Sequence, residues 1–139
     1  MGWHDAALHA VAVEPAPPHP GRLLLDLDYI VQWVAPTPPG KTYHFWLCPA
    51  TLVFDDAADL VVNLDLGGRS FEAAVNGIVR SEPNEHGARD WTIDGHEFTI
   101  TLRAHGFAQY LRQRPIRSSG QRLTVQERGG ISFDEQGFA

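Results

Sequence analysis

The run Tyr43–Phe54, YHFWLCPATLVF, limits the fold more than any other stretch. It is the longest apolar run in the chain, and Pro49 interrupts it. Tyr43, Phe45, Trp46, Thr51, Val53 and Phe54 are aromatic or β-branched, and such side chains fit a pleated surface. A helix through Pro49 would lose a backbone donor and clash with the preceding turn. Cys48, just before the proline, is pushed toward extended geometry. The run therefore reads as two buried strand segments joined at a bulge or tight corner at Pro49. Being apolar on both faces except at His44, it belongs in the middle of a domain.

Leu23–Val34 is the clearest strand. Leu23, Leu25, Leu27, Tyr29, Val31 and Trp33 alternate with a second set containing Asp26, Asp28 and Gln32. The proline-rich turn at 36–40 connects it to the central run, so the two are expected to be antiparallel neighbours. A weakly apolar segment up to Val13 precedes a proline loop over 15–21. After Phe54, residues 55–59 read as a polar turn and Leu60–Leu66 as another strand, closed by Gly67 and Gly68. Phe71–Arg80 reads as a less regular strand, with Asn76-Gly77 a turn or bulge. Asp94-Gly95 is the favoured pair for a hairpin turn between Trp91–Ile93 and Glu97–Ala104. Residues 107–114 fit either a short helix or a strand. Leu123 with Val125 suggests a late strand, Ile131 with Phe133 a weaker one, and the last residues a frayed tail. The expected architecture is mainly β: an antiparallel β-sandwich or partly open β-barrel of about eight or nine strands, with at most one short helix.

A length of 139 residues implies one domain spanning 1–139. A chain of this size buries roughly 68–70% of its unfolded surface, enough for a core without covalent staples. The net charge of −6 argues against nucleic acid as a partner, because phosphate contacts need clustered Lys and Arg. The single cysteine, Cys48, cannot form an intrachain disulfide and reads as a buried structural thiol. No apolar run reaches membrane-spanning length and no secretory leader is apparent, so no membrane is expected and a cytoplasmic location is the default.

Candidate chemistry gathers around His4, Asp5, Asp26, Asp28 and His44. Asp26 and Asp28 share a strand face about 7 Å apart, a spacing suited to two carboxylates converging on a cation or a proton. His44 follows on the neighbouring strand, and Asp5 is placed to orient the His4 ring. His and Asp both ligate zinc and related metals, although no HxH, HExxH or CxxC spacing supports a metal here. The plainer alternative makes Asp26 and Asp28 the solvated face of a half-exposed strand. Trp3 reads as a plug over a sheet end. No nucleophile elbow, phosphate loop or nucleotide fingerprint occurs, so no catalytic residue and no cofactor is assigned.

The Trp3-His4-Asp5-Ala6 start and the later Leu25-Asp26-Leu27-Asp28-Tyr29-Ile30 resemble a group of small uncharacterised bacterial β-rich proteins. The aromatic-His-Asp-Ala start also resembles a β-rich family of immunity proteins from bacterial toxin systems. That resemblance implies a protein that binds and blocks a toxin and catalyses nothing. Acidic residues Asp26, Asp28, Asp55, Asp56 and Asp59 would suit a basic partner. The leading expectation is thus a non-catalytic protein-binding module of the immunity type. A small-molecule- or metal-binding β protein, or an enzyme, with a His/Asp site is the alternative, and a homodimer formed through an exposed sheet face is a third.

Overall fold

A computed structural model describes residues 2–65 and 72–138. It contains eight strands: β1 (Ala7–Ala16), β2 (His19–Val34), β3 (His44–Leu64), β4 (Ala74–Arg80), β5 (Arg89–His96), β6 (Phe98–Ala104), β7 (Ala108–Leu111) and β8 (Ile116–Ser118). One short helix, α1 (Val125–Arg128), follows. Every pairing is antiparallel. Along the sheet the order is β2-β1-β4-β5-β6-β3, and β3 pairs back onto β2, so six strands form a closed ring. The β1–β4 seam is narrow: Ala7 faces Ala74, and the Leu8 and Val75 amides donate to the Ala73 and Ala6 carbonyls.

Strand β3 makes closure possible. Its first part, up to Ala57, pairs with β2 along one edge. Along the other edge it meets β6, β7 and β8 in series: β6 at 58–64, β7 at 50–53 and β8 at 45–47. The expected polar turn at 55–59 is instead a bend within this 21-residue strand. Asp56 (φ 49°) and Asp59 (φ 50°) adopt left-handed backbone, which a short acidic side chain tolerates, and the register shifts on both edges there. Pro49 breaks nothing either. Its carbonyl accepts from the Arg112 amide, so its missing N–H points to the same edge, opposite the gap between β7 and β8. The ladder to β2 therefore loses no bond, and the two expected segments are one strand.

Inside the ring, Leu23, Leu25 and Leu27 of β2 pack with Leu52 and Phe54 of β3, Val75, Trp91, Ile93, Phe98, Ile100 and Leu102. Each fully buried Leu contributes roughly 1.5–3 kcal/mol. The inward set of β6 is the expected one, Phe98, Ile100, Leu102 and Ala104. Its hairpin with β5 turns two residues later than expected. Gly95 pairs with Phe98, leaving His96 and Glu97 (φ 69°) at the tip. A Cβ on Gly95 would lie 2.0 Å from the Phe98 ring, so glycine there makes room for the ring and does not form the turn. Asn76-Gly77 forms the bulge alternative, and residues 108–111 resolve as strand. Leu66, Gly67, Gly68 and Phe71 lie outside the described residues.

The C-terminal segment departs from expectation. Leu123 is buried in a loop, and Val125 begins α1 instead of extending a strand. Thr124 and Glu127 form a reciprocal capping box, and Gly129 (φ 75°) ends the helix in left-handed geometry. No strand forms at Ile131–Phe133. The tail is docked: the Phe138 amide donates to the Leu111 carbonyl, and Glu135 pairs with Arg22. This segment covers the outer face of β2 and β3, where Leu123 packs with Ile30, Phe45 and Leu47. Among the described residues, no helix is long and apolar enough to cross a membrane.

Candidate functional site

Residues 23–28 of β2 are all buried, so both faces of the strand are covered. The odd residues face the ring interior. Asp26 and Asp28 point the other way, under the C-terminal segment, and each is 0% exposed. They are therefore not the solvated face of a half-exposed strand, because residues 112–132 close over them.

Two arginines and three further donors meet the pair. Arg128, itself 2% exposed, donates from Nη1 to Asp26 Oδ2 at 2.8 Å and from Nη2 to Asp26 Oδ1 at 2.6 Å. The same guanidinium reaches Asp28 Oδ1 through Nε at 3.1 Å. Arg112 bridges Asp26 Oδ1 and Thr51 Oγ1, both at 2.8 Å. The Ser132 amide donates to Asp26 Oδ2 at 3.0 Å, and the Leu123 amide to Asp28 Oδ2 at 2.8 Å. His9 Nε2 lies 2.6 Å from Asp28 Oδ2, so it is this nitrogen that carries the proton to the carboxylate. Two carboxylates thus face two guanidiniums, and no buried side-chain polar atom among the described residues lacks a partner. Burial alone pushes the Asp26 carboxyl up. The hydrogen bonds from Arg128, Arg112 and Ser132 outweigh it and hold the group below the ordinary carboxylate range. Burial likewise pushes Arg128 down, and its bonds to Asp26 and Asp28 reverse the sign. Asp26 thus accepts four hydrogen bonds and Asp28 three, and buried carboxylates so engaged are poor general bases and poor cation ligands.

The remaining expected residues lie in two other places. His4 is exposed and donates from Nδ1 to the Asn76 carbonyl at 2.8 Å, on the seam beside β4. Asp5 sits 3.6 Å from its other ring nitrogen, outside hydrogen-bond range, so Asn76 and not Asp5 fixes the ring. His44 lines a cleft of about 290 Å³ with Lys41, Arg117 and the 34–37 turn. No group of three or more His, Cys, Asp or Glu among the described residues is arranged to hold a metal ion. The structure unites Asp26 with Asp28 and leaves His4, Asp5 and His44 elsewhere. Sequence reasoning missed Arg112, Arg128, His9 and Thr51. Their signal was indirect: two acids inside Leu-Leu-Leu-Asp-Leu-Asp require buried cations from elsewhere in the chain.

Two further surfaces are open and adjoin at Phe107. The bend of β3 presents Asp55, Asp56 and Asp59, all exposed, and Asp55 and Asp56 line a cleft with His105 and Phe107. At the neighbouring end of the ring, Trp3, Ile78, Arg80, Trp91 and Phe107 line a cleft of about 280 Å³. Trp3 packs edge-on against Phe107 with ring centroids 5.0 Å apart, the sheet-end position expected of it.

These features define a small, mainly β protein built on one closed antiparallel sheet, with a C-terminal segment clamped to its outside. No protein-family model matches the chain, and no curated protein or solved structure matches it either.

Proposed function

We propose that this chain is a non-catalytic binding protein that takes a basic protein partner, in the manner of an immunity-type inhibitor of a bacterial toxin. The observation that carries this reading is the burial of Asp26 and Asp28 and their pairing with Arg112 and Arg128. The acid pair best placed for chemistry is spent on holding the C-terminal segment. At the β3 bend the accessible charge is acidic. Asp55 and Asp59 share Arg22 and Arg103 with other acids, which leaves the β3 bend acidic. Exposed Phe107 beside Asp55 and Asp56 adds an aromatic anchor, the residue type enriched at interface centres. Complementary charge would speed and orient association with a basic surface.

The test is affinity capture from the native cells with the wild-type chain and with an Asp55→Asn/Asp56→Asn/Asp59→Asn variant. Asparagine keeps the left-handed backbone accessible at 56 and 59 while removing the charge. A basic protein bound at stoichiometric ratio, released by moderate salt and lost by the variant, is the expected result. A partner retained equally by the variant, or none at stoichiometric ratio, would refute the reading.

A further inference from the structure

We propose that the open end of the strand ring binds a small planar aromatic carboxylate, in the cleft formed by Trp3, Ile78, Arg80, Trp91 and Phe107. The site goes beyond the protein-binding reading and does not depend on it.

The cleft is a continuation of the core. Trp91 is buried within the ring, and Phe107 packs on it at 5.9 Å between centroids and on Phe54 at 6.1 Å. Its walls are fixed before any ligand arrives. The Trp3 indole donates to Gln109 Oε1 at 2.7 Å, and the Trp91 indole to the Ala104 carbonyl at 2.9 Å. Both indole donors are thereby used, so the walls offer ring faces and edges and no hydrogen bond. Aromatic rings prefer such edge-to-face or offset partners. Phe107 stays 42% exposed, so its ring borders the opening.

Arg80 supplies the polar half. It is cross-strand partner to Trp91 and the last residue of β4, on the inward-facing register at the rim. Its guanidinium carbon lies 5.8 Å from the Trp91 ring centroid. Among the described residues Arg80 has no carboxylate partner and no hydrogen bond, whereas Arg22, Arg103, Arg112 and Arg128 are all paired. Lys41, Arg114 and Arg117 are unpaired too, but among the described residues Arg80 is the one of these cations that lies over an aromatic ring and lines an apolar cleft. Its N–H groups are unpaired, and a guanidinium presents them in a fork that matches a carboxylate. An apolar cleft at a barrel mouth with one convergent polar group is a common form of small-molecule site. About 280 Å³ is at the small end of the range of such sites, which selects one ring with a short acid arm.

The probes are benzoate and 4-hydroxybenzoate, with benzamide as the uncharged control, added to the full chain while the indole N–H resonances are followed by NMR. Saturable shifts at Trp3 and Trp91, with Trp33 and Trp46 unmoved, are expected. Benzamide, or the Arg80→Gln variant with benzoate, should bind about tenfold more weakly or worse, the loss expected for one charge-assisted hydrogen bond. No shift at millimolar acid, equal binding of benzamide, or an Arg80→Gln variant that binds as the wild type would each overturn the proposal. Arg80→Gln leaves the acidic bend intact, so failure here and failure of partner capture are read separately.

Discussion

Arg128 holds Asp26 with both terminal guanidinium nitrogens, at 2.8 and 2.6 Å, although the two residues are 102 positions apart in sequence. The contact joins a four-residue helix near the C-terminus to the middle of β2. It gives the C-terminal segment a fixed seat on a sheet that would otherwise expose Ile30, Phe45 and Leu47 on its outer face. Such bidentate, charge-assisted pairs are both strong and geometrically selective. A buried ion network need not stabilise more than an apolar core would, but it does penalise wrong dockings of the segment, because they leave charges unpaired.

Replacing Asp26 with Asn keeps the volume and removes the charge. Arg128 and Arg112 would then be buried with Asp28 as the one remaining acid. The expected loss is about 3–5 kcal/mol of unfolding free energy, measured by urea denaturation. A loss below ~1 kcal/mol, the scale of an exposed pair, would show that the network is solvated.

Acid should weaken the fold through the same residue. The folded-state pKa of Asp26 lies below its ordinary value of 3.8, so the folded form binds its proton more weakly than the unfolded form. Its contribution is complete above 3.8, shrinks as pH falls below that value, and is gone below the folded-state pKa. Denaturation midpoints measured across this acid range should fall more steeply for the wild type than for Asp26→Asn. Parallel curves would contradict the assignment.

Cys48 is expected to be inert in the native protein. Burial pushes its thiol above the ordinary value of 9.0, and the S–H donates to the Gln113 carbonyl. Thiol-specific reagents should label it only on unfolding. Because the unfolded thiol ionises first, its contribution to stability falls as pH rises past 9.0. Rapid labelling of the folded chain at neutral pH would disprove this placement.

Strand content was readable in the sequence where a single physical rule acts. The alternation of Leu23, Leu25 and Leu27, and of Phe98, Ile100 and Leu102, marks inward faces that the structure keeps. What the pattern hides is where a rule depends on a distant segment. Pro49 reads as a break until β7 and β8 leave a gap opposite its missing donor. Asp26 and Asp28 read as solvated until a segment 100 residues later covers them. Gly95 reads as a turn residue until the Phe98 ring needs its space. One difference is local: Thr124-x-x-Glu127 followed by Gly129-Gly130 carries both helix caps, and these outweigh the strand preference of the β-branched Val125.

The buried acid pair clamps the C-terminal segment to the sheet. Native-state hydrogen exchange of the Leu123 and Ser132 amides tests it most directly. Both amides donate to the pair, Leu123 to Asp28 and Ser132 to Asp26, from segments outside the sheet ladder. Exchange as slow as that of Leu25 in β2 is the predicted result, because opening either amide requires breaking the ion network. Exchange as fast as that of Glu85, in the exposed 81–88 loop, would contradict it and return Asp26 and Asp28 to the list of accessible functional groups.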